Sequence, residues 1–186
     1  MEFAETEWAG LVRHASTHSH ATRGIDAHAR VTESGIGVFR YVLRAEISRV
    51  RMPPEKSAER ADGLWKHTCF EAFIKAPDAA GYYELNFAPS RQWAVYRFNA
   101  YREGMSSPDV GPSPEISVRR FAERLEVDAA VRLHDLIGLQ GMPHLKVGLS
   151  AVVEEENGRL SYWALKHAAG KADFHRPDGF VLTLKR

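Results

Sequence analysis

The sequence predicts an all-β protein built as a β-sandwich or barrel, and three observations support this prediction. Apolar and polar residues alternate in several segments, as is typical of half-buried strands. The clearest case is residues 124–134, where every second position from Leu125 to Leu133 is apolar. Segments rich in proline, glycine and charge interrupt the alternation at 51–63, 105–115 and 168–179. No rhythm of strands and long helices is present, which excludes a parallel α/β fold.

Eleven strands are predicted in chain order, divided by these three interruptions. Residues 10–15, 25–31 and 37–47 precede the first interruption, and the aromatic-rich segments 68–75, 82–87 and 93–101 follow it. Residues 116–121, 124–134, 146–153 and 160–167 come next, and 179–185 closes the chain. The short loops 77–81 and 155–158 predict antiparallel hairpins. Residues 134–141 are predicted to contain a short helical turn.

Composition limits the function classes. A chain of 186 residues suits one domain, residues 1–186, which buries roughly 70% of its unfolded surface. A net charge of +1 offers no field for nucleic acid or an anionic membrane, so neither partner is expected. The single cysteine, Cys69, excludes a disulfide framework, and no metal site is predicted. No long apolar run indicates a signal or a membrane helix, so a soluble, cytoplasmic protein is expected.

Large polar side chains occur among the aromatic residues of segment 64–101. Alternation predicts that Glu71 and Glu84 face the same way across a hairpin. Cross-strand neighbours on one face lie about 5 Å apart, so Arg97 could bridge the carboxylates, or all of these groups could contact one ligand. The polar residues of this segment are His67, Glu71, Glu84, Asn86, Arg97 and Asn99, and the last five are predicted to share one sheet face.

This polar face has two interpretations. Antiparallel sheets often expose one face, where charged pairs carry no function. However, Trp65, Tyr82, Trp93 and Tyr101 border the polar set. Aromatic rings beside carboxylate, amide and guanidinium groups suit a polyhydroxylated ligand. A second set of candidate ligand-binding residues lies near the C-terminus: Trp163, Lys166, His167 and His175.

Catalysis by Glu71 and Glu84 is the main competing chemistry. Glycoside hydrolysis uses two carboxyl groups about 5–9.5 Å apart, which adjacent strands could supply. Arg97 on the same face would keep both carboxyls ionised and remove the acid. Cys69 is predicted to be an inert core thiol. No catalytic residue is therefore predicted.

Several motifs resemble a known family. The pattern of Trp65, Glu71, Phe73 and Ile74 is followed by YYELNFAPS and WAVYRFNAY. Together with residues 149–184, these motifs resemble the DOMON-like domains related to family 9 carbohydrate-binding modules, in a bacterial group. The resemblance covers the chain from about residue 36. It implies an immunoglobulin-like β-sandwich of two antiparallel sheets, whose concave face binds sugars or, in some relatives, haem.

The resemblance also implies candidate roles. The carbohydrate-binding relatives hold a sugar between two tryptophans, for which Trp65, Trp93 and Trp163 are available. The haem-binding relatives use a methionine and a histidine as axial ligands. The leading hypothesis is a non-catalytic module without a cofactor, in which Glu71, Glu84, Asn86 and Arg97 bind a small polar ligand, a carbohydrate or cell-wall sugar. The alternatives are a haem or redox domain, or a partner-binding protein with a buried polar network.

Overall fold

The computed structural model describes residues 8–185, and these contain eleven strands and four short 3₁₀ turns. No helix within this range is long and apolar enough to cross a membrane. The strands are β1 (Ala9–Arg13), β2 (Thr22–Val31), β3 (Ile36–Ala45), β4 (Cys69–Lys75), β5 (Tyr82–Phe87), β6 (Trp93–Phe98), β7 (Glu115–Arg120), β8 (Arg124–Arg132), β9 (His144–Glu154), β10 (Leu160–Ala164) and β11 (Leu182–Lys185).

All eleven predicted strands are present, with boundaries that differ by a few residues. The two predicted hairpins are confirmed, since β4 pairs antiparallel with β5 and β9 pairs antiparallel with β10. The helical turn predicted within 134–141 is the 3₁₀ turn Leu133–Asp135. Strand β6 ends at Phe98, three residues earlier than predicted, because Ala100 and Glu103 form a turn beyond it.

The strands form one curled antiparallel sheet in the order β6-β5-β4-β9-β10-β1-β2-β3-β8-β7, with β11 beside β9. Strand β1 joins the two halves: Leu11 pairs with Ile25 of β2, and Val12 pairs with Ala164 of β10. The predicted all-β antiparallel fold is confirmed. The predicted division into two separate sheets is not confirmed, because β1 bonds to both halves.

The curl brings the two halves of the sheet face to face around the main core. The rings of Phe39 and Phe87 lie 5.8 Å apart, and those of Tyr41 and Phe70 lie 5.1 Å apart. The Tyr41 hydroxyl donates to the backbone carbonyl of Glu71 over 2.8 Å. Burying each large apolar side chain contributes roughly 1.5–3 kcal/mol. These contacts fix β4 and β5 in place from one side.

Strands β4, β5 and β6 are buried on both faces, which is why their sequences are so rich in aromatic residues. On the face away from the main core, Phe73 stacks on Phe180 at 5.8 Å, and Tyr82 stacks on Phe98 at 4.9 Å. Phe180 reaches this face from the segment before β11. The second cluster consists of Phe73, Tyr82, Ala94, Tyr96, Phe98 and Phe180.

The free edge of β6 is partly covered by irregular segments. The Trp93 amide donates to the Glu59 carbonyl over 3.2 Å, and the Ala61 amide donates to the Trp93 carbonyl over 2.9 Å. Arg97 and Ser106 exchange two backbone hydrogen bonds of 2.9 Å. The segment before β4 and the segment after β6 are thereby held against β6, which contributes residues to the second cluster.

Candidate functional site

The register of β4, β5 and β6 decides which polar residues share the outer face of these strands. Glu71 lies opposite Asn86, and Glu84 lies opposite Tyr96. Arg97 lies opposite Tyr83 and therefore points to the other face. The prediction that Arg97 joins Glu71 and Glu84 is wrong. Alternation within one strand does not reveal which parity of the next strand shares its face.

The turn at residues 88–92 sets this register. The Ala88 amide donates to the Gln92 carbonyl, and the Arg91 amide donates to the Ala88 carbonyl, both over 2.9 Å. Arg91 has φ 74°, a left-handed conformation that closes the turn. Phe87 consequently pairs with Trp93. Tyr96, and every second residue of β6 counted from it, therefore lies on the same sheet face as Glu84.

A cavity of 690 Å³ opens on this outer face. Its volume is in the range of small-molecule binding sites. Strands β4–β6, β9 and β10 form its walls together with the segments 62–66, 102–107 and 172–175. The lining residues are Asp62, Gly63, Trp65, Lys66, Glu71, Glu84, Tyr96, Phe98, Arg102, Met105, Ser107, Val152, Leu160, Tyr162, Ala172, Asp173, Phe174 and His175.

Two buried carboxyl groups lie at the floor of the cavity. Glu71 is 3% exposed, and its Oε1 atom has no hydrogen-bond partner within residues 8–185. Glu84 Oε1 accepts a 2.8 Å hydrogen bond from the side-chain amide of Asn86. The Cys69 thiol donates to Asn86 Oδ1 over 3.4 Å. The floor is therefore a partly satisfied polar network inside an aromatic surface.

Burial controls the protonation of this carboxyl pair. It raises the pKa of Glu71 well above the usual range, and the nearby charge of Glu84 adds to this effect. Burial also raises the pKa of Glu84, while the hydrogen bond from Asn86 and the charge of Arg102 oppose the shift. The expectation that Arg97 keeps both groups ionised is wrong. Glu71 holds its proton to a higher pH than an ordinary carboxyl.

His175 forms one side of the cavity. Its Nδ1 atom lies 2.7 Å from the Tyr82 hydroxyl, and its Nε2 atom lies 3.6 Å from Glu84 Oε2. Burial and the positive charge of Arg102 lower the pKa of His175 to about 4, although Asp173 acts in the opposite direction. The imidazole is therefore neutral at physiological pH, and it can both donate and accept hydrogen bonds.

The mouth of the cavity carries aromatic and charged groups. Trp65 is 47% exposed, and Lys66 Nζ lies 5.5 Å from the centre of its ring. The Tyr96 hydroxyl donates to Asp62 over 2.7 Å. Burial, followed by this hydrogen bond, raises the pKa of Tyr96 to about 12. Tyr96 therefore remains a neutral hydrogen-bonding group at the rim.

Arg102 and Asp173 form a pair on the opposite side of the mouth. Arg102 donates to Asp173 Oδ1 over 2.8 Å, and the Tyr101 hydroxyl donates to Asp173 Oδ2. The Asp173 carboxylate also accepts the His175 amide over 3.1 Å. Asp173 therefore fixes Arg102 at the cavity.

The structure brings together four of the eleven predicted ligand-binding residues. Trp65, Glu71, Glu84 and His175 line the cavity, and Asn86 lies immediately behind Glu84. The four lining residues share one cavity, and their role in binding a ligand stays a prediction.

The structure places two of the predicted tryptophans elsewhere. Trp93 and Trp163 are buried in the main core, at 7% and 6% exposure. The indole of Trp163 donates to Ser161 Oγ over 3.0 Å. Each occupies a strand position whose parity faces the core, so neither can stack on a ligand in the cavity. Trp65 is therefore the tryptophan that this cavity offers.

The remaining predicted residues also lie outside the cavity. His67 Nδ1 is 2.7 Å from Glu154 Oε2, in an ion-pair cluster at the surface. Arg97 is partly buried on the opposite face, beside a smaller cavity of 190 Å³. Lys166 is exposed, and His167 Nε2 donates a hydrogen bond to the backbone carbonyl of Val12 over 2.8 Å. Strand β10 ends at Ala164, so Lys166 and His167 do not continue its alternation.

Several lining residues were not predicted from the sequence. Tyr96 and Phe98 share the sheet face of Glu84, which the sequence pattern assigned instead to Arg97 and Asn99 of the same strand. Tyr162 and Phe174 approach each other at 6.1 Å from β10 and from a segment rich in glycine and charge. In that segment, the aromatic residue Phe174 between Asp173 and His175 is the feature of the sequence that could have indicated a binding site.

No family model and no curated protein matches the chain. A Bacteroides uniformis protein, provisionally assigned as carbohydrate-binding, superimposes with a TM-score of 0.71 at 15% identity, over 96% of this chain and 85% of that chain.

Two structures of a family 9 carbohydrate-binding module from Caldicellulosiruptor kristjanssonii also match, each at 13% identity. The complex with glucose has a TM-score of 0.54, over 96% of this chain and 83% of that chain. The complex with cellotriose has a TM-score of 0.55, over 96% of this chain and 81% of that chain. Likeness at this level of identity is evidence of architecture. The chain has the fold of the family 9 carbohydrate-binding modules.

Proposed function

We propose that this chain is a non-catalytic carbohydrate-binding module of the DOMON-like type, formed by residues 1–186 as one domain. The observation that supports this proposal is the cavity on β4–β6, where exposed aromatic surface lies beside buried carboxyl groups. Aromatic faces stack against the CH groups of a pyranose, and carboxylates accept hydrogen bonds from its hydroxyls. The fold that the chain shares with sugar-binding modules supports the same ligand class.

The lining residues divide into two roles. Trp65 and Tyr162, at the mouth and wall, offer ring surface for stacking. Glu84, Arg102 and His175 offer acceptors and donors for hydroxyl groups. His175 is suited to this because its neutral imidazole is 14% exposed and is held by Tyr82.

Isothermal titration calorimetry with mono- and oligosaccharides tests the proposal. Trp65→Ala is expected to weaken sugar binding by about tenfold, since loss of a stacked ring costs roughly 1 kcal/mol or more. Trp8→Ala is the matched control, because Trp8 is 50% exposed but packs near His28 and does not line the cavity. Absence of binding for every sugar tested, with a folded protein, contradicts the proposal.

Cleavage is checked in the same samples. Chromatography of the oligosaccharides after prolonged incubation is expected to recover them intact. Release of shorter products that depends on Glu71 or Glu84 would show that the carboxyl pair acts as acid and base, and that the module is an enzyme.

The haem alternative is less well supported. Met105 and His175 both line the cavity, as a pair of axial ligands would. However, His175 Nδ1 contacts the Tyr82 hydroxyl, and Nε2 is directed at Glu84. Iron ligation would require one of these contacts to break. A Soret band after expression with added haem, lost in His175→Gln, would favour this alternative.

A further inference from the structure

The charges around the cavity are unbalanced. Its lining includes the four carboxyl groups of Asp62, Glu71, Glu84 and Asp173, against the two cations Lys66 and Arg102. A buried or half-buried carboxylate normally has a positive partner, because its desolvation is costly. The position of each partner therefore indicates which carboxyls remain available to a ligand.

The carboxyls at the rim are already paired. Asp62 binds Arg60 at 2.8 Å, and Asp173 binds Arg102 at 2.8 Å. Each also accepts a tyrosine hydroxyl. These two groups have their positive partners within the chain.

The carboxyls at the floor have no such partner. Within residues 8–185, no lysine or arginine forms an ion pair with Glu71 or Glu84. His175 approaches Glu84 but its imidazole is neutral, and Arg102, whose charge acts on Glu84 from beyond ion-pair distance, is paired with Asp173. Glu71 is more than nine-tenths buried, lines the cavity and leaves Oε1 without a hydrogen bond. A buried carboxyl oxygen without a partner in this position points to a partner supplied from outside.

From this arrangement we infer that the sugar recognised by the cavity carries a cationic nitrogen, as an amino sugar does in its ammonium form, and that Glu71 and Glu84 bind this nitrogen. The inference rests on the proposed function and specifies its ligand class. An ammonium group has three N–H donors and a full charge, whereas a hydroxyl has one donor. It is therefore the better complement to two adjacent carboxyls.

The aromatic walls support a cationic ligand for an independent reason. Faces of tryptophan, tyrosine and phenylalanine attract cations through their negative centres. Trp65 already holds a cation in this way, since Lys66 Nζ lies 5.5 Å from its ring centre. Tyr96, Phe98, Tyr162 and Phe174 extend this aromatic surface around the floor.

The protonation of the floor pair is linked to such binding. Burial raises the pKa of both carboxyls, and the charge of Glu84 raises that of Glu71 further, so each holds a proton to a higher pH than an exposed carboxyl. An arriving ammonium favours the ionised form of both carboxyls, so a proton that the pair holds leaves to the buffer. Binding of a neutral sugar has no such requirement.

The test compares sugars that differ only in one group. Glucose, galactose and mannose are each titrated beside their 2-amino-2-deoxy forms and the N-acetyl derivatives, by calorimetry at about pH 7 in buffers of different ionisation enthalpy. At least one amino sugar is expected to bind roughly tenfold or more tightly than its hydroxyl partner, since hydrogen bonds to charged groups are the stronger ones. Acetylation is expected to remove the preference, and binding of the amine is expected to release protons.

Isosteric variants locate the effect. Glu71→Gln and Glu84→Gln are expected to bring the affinity ratio of amine to hydroxyl close to one and to abolish proton release. Glu55→Gln removes the same charge from an exposed side chain that pairs with Arg91, away from the cavity, and should keep the preference. Circular dichroism confirms that each variant is folded.

The outcomes separate the two proposals. If neutral sugars bind and amino sugars bind no more tightly, the inference is overturned and the sugar-binding function stands. If no sugar binds, with or without the amine, both are overturned. A preference that survives in both glutamine variants also overturns the inference, because the amine then lies elsewhere.

Discussion

Replacement of His175 is expected to change how the stability of the protein depends on pH. Burial and Arg102 lower the pKa of His175 from 6.5 to about 4 in the folded state. The unfolded chain therefore binds a proton between these values while the folded chain does not, so stability is lost as the pH falls through this window. A separation of about 2.5 pH units corresponds to about 3 kcal/mol.

The groups around His175 support the lowered pKa of its imidazole. Its ring contacts the Tyr82 hydroxyl and approaches Glu84, and Asp173 and Arg102 lie beside it. Glu84 retains its own proton to a higher pH than usual, so it gives the imidazole no fixed negative charge as the solution is acidified. Asp173 is paired with Arg102, and the positive charge of Arg102 opposes protonation of the His175 imidazole.

Urea unfolding of the unmodified chain and of His175→Gln measures the effect. The variant lacks the contact with Tyr82 and is therefore expected to be less stable than the unmodified chain near neutral pH. The difference in their free energies of unfolding should shrink by about 3 kcal/mol towards pH 4. His144→Gln, which removes an exposed histidine at the start of β9, is the control for loss of a histidine. A gap between His175→Gln and the unmodified chain that changes by less than about 1 kcal/mol would refute the reasoning.

Three further predictions concern the buried network. Burial raises the pKa of Glu71, so the unmodified chain loses stability as the pH rises above the usual glutamate range. Glu71→Gln should lack this loss and gain stability relative to the unmodified chain by up to about 1.4 kcal/mol per pH unit. Denaturant unfolding at a series of pH values measures this slope. Tyr41→Phe should lose about 1 kcal/mol in denaturant unfolding, because its hydroxyl donates to the Glu71 carbonyl inside the core. The Cys69 thiol should react with a thiol reagent only after unfolding, because burial and then the charge of Glu71 raise its pKa; rapid labelling of the folded chain would contradict the buried position.

Patterns confined to one strand predicted most of the fold. In β8, Leu125, Val127, Ala129 and Val131 are buried, and the residues between them face outward, as the alternation indicated. The hairpin loops likewise depend on adjacent residues. The role of β1 could not be predicted in this way, because Val12 pairs with Ala164 of β10, a strand that lies far along the chain.

The candidate site was predicted only in part, for a related reason. Glu71 and Glu84 could be placed together because one short loop joins their strands. Arg97 was placed with them in error because the geometry of the turn 88–92, with its left-handed Arg91, decides the parity. Trp93 and Trp163 have side chains suited to stacking, but a residue type does not reveal whether its strand position faces the core or a ligand.

Coverage of the outer strand has a consequence for association. A bare strand edge at the end of a sheet is a template for pairing with another chain and for aggregation. The backbone groups of Trp93 and Arg97 on β6 are already bonded to Glu59, Ala61 and Ser106, so β6 presents little unpaired backbone. At the opposite end of the sheet, β7 carries the charged residues Arg119 and Arg120, and charged side chains on an edge strand disfavour its pairing with another chain. An aromatic cavity can therefore stay open to solvent beside β6 without the sheet recruiting a second copy through that edge.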